Sequence, residues 1–194
     1  MSDSDKRKQI LKAAVKVFSR KGFHETKVDE IARLADVGKG TVYEYFASKA
    51  ELFQEMFKTG MEFYMTDLTG ALKPGMSCRA KLVLVARHHM NFVHRYKDLA
   101  RITMTEHVHF DEGFRNWIWE NRMKKEEFLQ EIISEGITAG EFRRVDPHAA
   151  ALAFMGAISV ICSPLFFPKG RASYDDFMGS VMDVIFSGLV NSEK

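Results

Sequence analysis

The 194-residue chain is poor in the features that would assign it to most chemical classes. It has two cysteines, Cys78 and Cys162, far apart and in no Cys-x-x-Cys pair. A disulfide scaffold and a thiolate metal site are therefore excluded, and two reduced thiols in a cytosolic protein are expected. It has four prolines, and each falls where a helix should begin, end or break rather than inside one. Its net charge is only +2, too small to argue for nucleic acid by itself. No nucleophile stands beside a plausible base, no paired carboxylates sit in an apolar setting, and no strand precedes Gly38-Lys-Gly40 to make it a phosphate loop. Nothing here reads as an enzyme or calls for a cofactor. Met1 to Lys8 leads into a charged helix without an apolar core, so no secretory leader is expected. Ala149 to Phe167 is free of charge and close to the ~20 residues of a membrane helix. Pro164 and Pro168 interrupt it and its first part is Ala, Gly and Ser, so a buried, closely packed helix is expected instead.

What is present is concentrated at the N-terminal end. Residues 1–50 hold 11 Lys and Arg against 7 Asp and Glu, leaving a slightly acidic remainder. Lys6 to Lys21 carries Ile10, Leu11, Ala14, Val17 and Phe18 as one apolar stripe, and Gly22 ends it. Residues 1–5 are polar and expected to fray, Lys6, Arg7 and Lys8 can approach phosphates, and Phe23 is expected to plug the core against Phe18 and Ile31. Thr26-Lys-Val-Asp29 has the spacing of a capping box, so a helix should start at Thr26. Asp36-Val-Gly38 gives a tight turn, and Val37 to Lys49 then packs cationic, hydroxyl and aromatic side chains into one short helix. Ser48-Lys-Ala-Glu51 repeats the capping signature before a long helix ending near Lys73-Pro74-Gly75. Helix, glycine-containing turn, helix is the plan that lays a second helix in the major groove. Lys39, Thr41 and Tyr43 would project from the front of that helix toward base edges or phosphates, with Tyr45 a phosphate partner and Gly40 keeping the helix close to the groove. Val37, Val42 and Phe46 should face the core.

Three runs carry a resemblance: Ile10-Leu-x-Ala-Ala-x-x-x-Phe-x-x-Lys-Gly-Phe23, Thr26-x-Val-x-x-Ile-Ala32, and Val37-Gly-Lys-Gly-Thr-Val-Tyr-x-Tyr-Phe-x-Ser-Lys-x-Glu-Leu-Phe53. Together they resemble the DNA-binding domain of the TetR family of bacterial transcriptional regulators. The resemblance implies that Thr26 and Lys49 clamp DNA backbone from either side, that the helix from Ser48 joins head to body, and that the last two helices pair across a two-fold axis. Gly38 departs from the hydroxyl residue frequent there in the family, so one phosphate contact is missing or is made by a backbone amide.

Beyond residue 75 the spacing stays helical, with helices expected near 77–96, 99–110, 112–139, 147–163 and 174–190. Gly136-Ile-x-x-Gly-Glu-Phe142 through Asp146-Pro-x-Ala-Ala150 resembles the family's approach to its penultimate helix. The fold class is thus all-α: a three-helix reading head over 1–50 and a helical ligand-binding and dimerisation body over 51–194. Small and apolar residues form two stripes, Ala149, Ala153, Gly156, Ala157 and Val160 on one helix and Phe177, Val181, Val184, Ile185 and Gly188 on the last, suited to a self-complementary dimer. Aromatic and methionine residues crowd the middle helices and, with two histidines, mark a candidate pocket: Phe63, His89, Phe92, Met104, His107, Phe114, Trp117, Phe128, Phe154 and Met155. The guest would be large and lipophilic, an acyl derivative or a drug-like aromatic. His88, His89, Glu106, His107 and His109 also admit a metal reading, but neighbouring histidines point to different faces, so no metal is assigned. The functional expectation is a cytoplasmic homodimeric repressor that binds a palindromic double-stranded operator and is released by its ligand. An activator, a metal-responsive regulator and a lipid-carrying bundle without sequence-specific DNA binding stay open as alternatives.

Overall fold

The computed structural model describes residues 3–96, 111–162 and 174–188, and the described residues contain helices and no strand. The helices are α1 (Asp3–Glu25), α2 (Val28–Leu34), α3 (Lys39–Tyr45), α4 (Lys49–Ala71), α5 (Cys78–Arg95), α6 (Glu112–Thr138), α7 (Pro147–Cys162) and α8 (Tyr174–Ser187). The helix expected over 99–110 lies outside the described residues. The chain divides into two compact units, one of Met1–Ala71 with Arg95–Ile118 and the other of Leu72–His94 with Trp119–Lys194.

The first unit contains the reading head. Its core joins Ile10, Ala14 and Phe18 of α1, Ile31 of α2, Val42 of α3 and Leu52 and Phe53 of α4, each at most 1% exposed. Phe18 meets Phe53 edge to face at 5.1 Å, and Phe23 stacks on Phe18 at 6.1 Å and meets Phe53 at 5.4 Å, as expected of a plug. Each such fully buried ring contributes about 1.5–3 kcal/mol by removal from water alone. α1 begins at Asp3 rather than fraying through Asp5, with Asp3 and Asp5 in the first turn where acids complement the helix dipole. Gly22, at φ +77°, breaks it where the sequence puts its end.

One local expectation is corrected. Thr26 does not open a capping box: α2 starts at Val28, Lys27 occupies the cap position without a side-chain bond, and the buried Thr26 hydroxyl donates to the Gly22 carbonyl at 2.6 Å. The turn expected at Asp36-Val-Gly38 is present, with Asp36 in the left-handed conformation (φ +50°), which short polar side chains tolerate best after glycine. The second capping signature forms in part, with the return bond going one residue past the cap. The Ser48 hydroxyl accepts from the Glu51 amide at 3.0 Å while Glu51 reaches back to the Ala47 amide at 2.6 Å.

In the second unit Glu141 receives the Cys78 and Arg79 amides at 3.0 and 3.2 Å and so caps α5 from the end of α6. Lys81 bonds Glu135 at 2.6 Å, and a Cβ on Gly136 would stand 3.0 Å from Cys78 Cβ, so the start of α5 lies against the end of α6. That Cβ would also lie 2.3 Å from Phe142 Cδ2, which is why the position is glycine. Gly140 (φ +76°) ends α6, and Asp146 caps α7 through the Ala149 amide at 2.8 Å with Pro147 at the first helical position. α7 has two unlike faces. Ala151, Phe154 and Ile158 are buried while Leu152 and Val160 are exposed, so it has one covered and one bare apolar face.

Candidate nucleic-acid interface and ligand-binding body

α3 is short because its ends are fixed by neighbours. Gly38 lies extended before it, and Phe46 leaves the helix at φ −141° to enter the core. One side of the helix, Val42, is 1% exposed, whereas Lys39, Gly40, Tyr43 and Glu44 face outward and Thr41 is half-buried. A Cβ added at Gly40 would meet no atom of the protein within 4 Å, so packing does not require glycine there. Lys39 pairs in the free protein with Asp29 at 3.1 Å, an exposed contact that a phosphate or base can displace at small cost. The Tyr45 hydroxyl donates to the Asp3 carboxylate, and this bond, then burial, raises the phenol to about 12. Arg7 lies over the Phe46 ring at 5.3 Å and bonds Glu55 at 2.6 Å, tying the start of α1 to the end of α3.

Two of the residues expected to clamp backbone are occupied otherwise. Thr26 is 2% exposed with its hydroxyl turned inward, so it holds the α1–α2 turn. The Lys49 ammonium donates to the carbonyls of Phe23, His24 and Thr26 at 2.8, 3.2 and 3.1 Å and sits 4.6 Å from the Phe23 ring centre. It therefore neutralises the carbonyl end of α1, a role invisible in sequence because those acceptors lie more than twenty residues away.

The residues expected to line a pocket separate into groups. Phe63 is 59% exposed. Phe114 and Trp117 stack at 5.7 Å and meet Phe57 at 5.8 and 6.0 Å inside the core of the first unit. Asp111 explains this placement: it caps α6 through the Phe114 amide at 2.8 Å and accepts from the buried Gln54 amide on α4 at 2.6 Å. The Gln54 bond, with that from Phe114, holds the Asp111 carboxyl below the usual range. Met104 and His107 lie outside the described residues, as do Glu106 and His109. His89, Phe92, Phe128, Phe154 and Met155 all belong to the second unit, Phe154 buried and the others partly so. Among the described residues no three His, Cys, Asp or Glu side chains gather where they could hold a metal ion.

The sequence reading missed Lys125. It lies on the apolar stripe of α6, four residues before buried Leu129 and seven before buried Ile132, and burial pulls its ammonium down to about 8. A lysine in the middle of an apolar helical stripe is the signal that could have found it. The stripes assigned to a dimer are bare. Ala149, Ala153, Gly156 and Val160 on α7 and Phe177, Val184 and Gly188 on α8 are exposed, with Ala157, Val181 and Ile185 half-buried. The opposite sides, Phe154 and Ile158 on α7 and Met178 and Met182 on α8, are the buried ones. Among the described residues no helix is long and apolar enough to cross a membrane.

Residues 10–56 match the family model described as "Bacterial regulatory proteins, tetR family", and residues 75–189 match "Tetracyclin repressor-like, C-terminal domain". A Bacillus subtilis fatty acid metabolism regulator protein is 28% identical over 184 residues, spanning 94% of this chain and 95% of that protein. The crystal structure of the transcriptional regulator FadR from Bacillus subtilis in complex with stearoyl-CoA superposes with a TM-score of 0.79 at 27% identity, over 94% of this chain and 99% of that one. AibR in complex with isovaleryl coenzyme A and operator DNA shares the fold at a TM-score of 0.74 and 24% identity, over 93% and 98% of the two chains. A reading helix with a polar outer face, a helical body, and family matches that reach from residue 10 to residue 189 give one conclusion: the chain belongs to the TetR family of bacterial regulatory proteins.

Proposed function

We propose that this protein is a cytoplasmic homodimeric repressor that binds a near-palindromic operator through α3 of each subunit and is released by a long-chain acyl ligand held in the body. The observation that carries the reading is the outward face of α3, where Lys39, Gly40 and Tyr43 are exposed while Val42 anchors the helix from behind. Lys39 donates to guanine O6 and N7 or to phosphate, Thr41 meets a thymine methyl or phosphate, and Tyr43 can do either. Tyr45 reaches phosphate once Asp3 is displaced. The bare stripes of α7 and α8 support a two-fold interface, since exposed valine and phenylalanine on adjoining helices favour burial against a second copy. The relatives that carry stearoyl-CoA and isovaleryl coenzyme A support an acyl ligand. We take residues 1–50 as the reading head and 51–194 as the body. No enzymatic step, cofactor or membrane contact forms part of this reading.

Release follows from linkage. The ligand must bind more tightly to a dimer whose two α3 helices no longer match successive major grooves, about 34–36 Å apart. A ~100-fold difference in ligand affinity between the two states lowers operator affinity by the same factor, about 2.7 kcal/mol. The test is fluorescence anisotropy on labelled operator duplex, with a salt titration and with added palmitoyl-CoA. Affinity should fall steeply with salt as phosphate contacts release counterions, and the acyl ligand should lower it further. Lys39→Ala should weaken binding and relax sequence preference while fold and dimer persist. Binding without salt dependence, or an unchanged Lys39→Ala variant, contradicts the reading and favours a carrier bundle.

A further inference from the structure

The outward side of α3 carries one group whose charge is wrong for phosphate. Glu44 is exposed together with Lys39, Gly40 and Tyr43. At about 100° per residue the exposed arc runs in the order Lys39, Tyr43, Gly40, Glu44, with Val42 behind it. Gly40 and Glu44 stand one turn apart on the same side, each about 160° round the helix from Val42.

Its neighbours on α3 have acidic partners, and Glu44 has no basic one. Lys39 bonds Asp29 and the Tyr45 hydroxyl bonds Asp3, so the groups suited to phosphate are held by acids in the free protein. Among the described residues no cation bonds the Glu44 carboxylate, and Lys39, about 140° away round the helix, stands on the wrong side to do so. The helix does not favour it either. Glu44 lies in the last turn of α3, where the carbonyl end of the dipole disfavours negative charge, and no basic residue shares that turn. No contact within the described head accounts for a carboxylate here.

Base-edge chemistry supplies a reason. A carboxylate only accepts hydrogen bonds. In the major groove guanine presents two acceptors, thymine an acceptor and a methyl group, and adenine a donor beside an acceptor, whereas cytosine presents its N4 amino donor alone. Gly40 adds no side chain beside Glu44, so that flank of α3 is free to approach the base edges. We propose that Glu44 reads a cytosine in each half-site by accepting from its N4 amino group, and that the same charge disfavours duplex lacking this donor. An acid among phosphate-binding groups weakens binding to every sequence, and the cytosine bond offsets that cost only at the right site. Glu44 thus contributes discrimination more than affinity. The assignment rests on the DNA-reading function given above and adds a base to its operator.

Selection of sites from random duplex DNA, run in parallel with full-length wild-type, Glu44→Ala and Glu44→Gln proteins, tests it, followed by anisotropy on the selected duplex and on versions changed at single base pairs. Wild-type sites should carry a cytosine at one symmetric position in each half-site, and replacing that C·G pair by T·A should weaken binding roughly ten-fold, within the range usual for one mismatched pair. Glu44→Ala should lose the preference at that position alone and bind unrelated duplex more tightly than wild type. Glu44→Gln should select adenine there, whose N6 and N7 match a carboxamide. Both variants remove an exposed acid from a last helical turn and should melt no lower than wild type. Glu62→Ala, at an exposed acid of α4, controls for lost negative charge and should select the wild-type site. An alanine variant at Glu44 that selects the wild-type base at every position overturns the assignment and leaves the DNA-reading function standing. A wild-type protein that enriches no sequence overturns that function and the assignment with it.

Discussion

Gly40→Ala should make the free protein more stable and a poorer DNA binder, because the reason for glycine lies outside the protein. An added Cβ at this position meets no atom within 4 Å, and the residue sits inside α3. Replacing glycine by alanine in a helix gains about 0.5–1 kcal/mol, chiefly through the unfolded chain. At the scale usual for a chain of this size that is a rise of roughly 1–4 °C in melting temperature. In the complex the same methyl would stand between α3 and the groove. Overpacking a tight contact costs about 1–3 kcal/mol, or roughly 5- to 150-fold in affinity. Differential scanning fluorimetry and anisotropy on one preparation measure both effects. Unchanged operator affinity would show that Gly40 does not lie against DNA and would refute the placement of α3 in the groove.

Other consequences follow from individual contacts. Lys49→Met removes three charge-assisted bonds to the end of α1 and should lower stability by about 1–3 kcal/mol in chemical denaturation, leaving the salt slope of DNA binding unchanged. A slope reduced by about one would instead return Lys49 to a phosphate clamp. Of the five tyrosines, Tyr45 should titrate near 12 by absorbance and move back toward 10 in Asp3→Asn. Because the folded value is raised, its stabilisation is present below pH ~10 and is lost as pH rises through 12; five tyrosines titrating together near 10 would contradict the bond. Val160→Asp places a charge on the bare α7 stripe and should give monomers by analytical ultracentrifugation, with operator affinity lost alongside; a persistent dimer would remove α7 from the interface.

What could be read from the chain alone was whatever local periodicity encodes. Phe18, Ile31, Val42 and Phe53 announce the core of the head by helical spacing, and Gly22, Gly140 and Pro147 mark helix ends because backbone geometry restricts those positions whatever surrounds them. The outer face of α3 was equally legible, since Lys39, Gly40 and Tyr43 are exposed and, among the described residues, only Asp29 bonds one of them. Long-range contacts were not. Thr26 and Lys49 carry the residue types of phosphate ligands, and only the folded chain shows their polar atoms bound to carbonyls at the end of α1. Phe114 and Trp117 look like body residues by position, yet the Asp111–Gln54 bond draws the start of α6 into the core of the head. Lys125 escaped notice because a lysine on a helix reads as solvated until the fold shows that its side of α6 is covered.

The central claim is sequence-specific DNA reading by a two-fold symmetric dimer. Selection of binding sites from random duplex DNA with the purified full-length protein tests it most directly. The account predicts an enriched site with two-fold symmetry and half-sites whose centres lie one or more helical turns apart. No enriched sequence at low or high salt would contradict it.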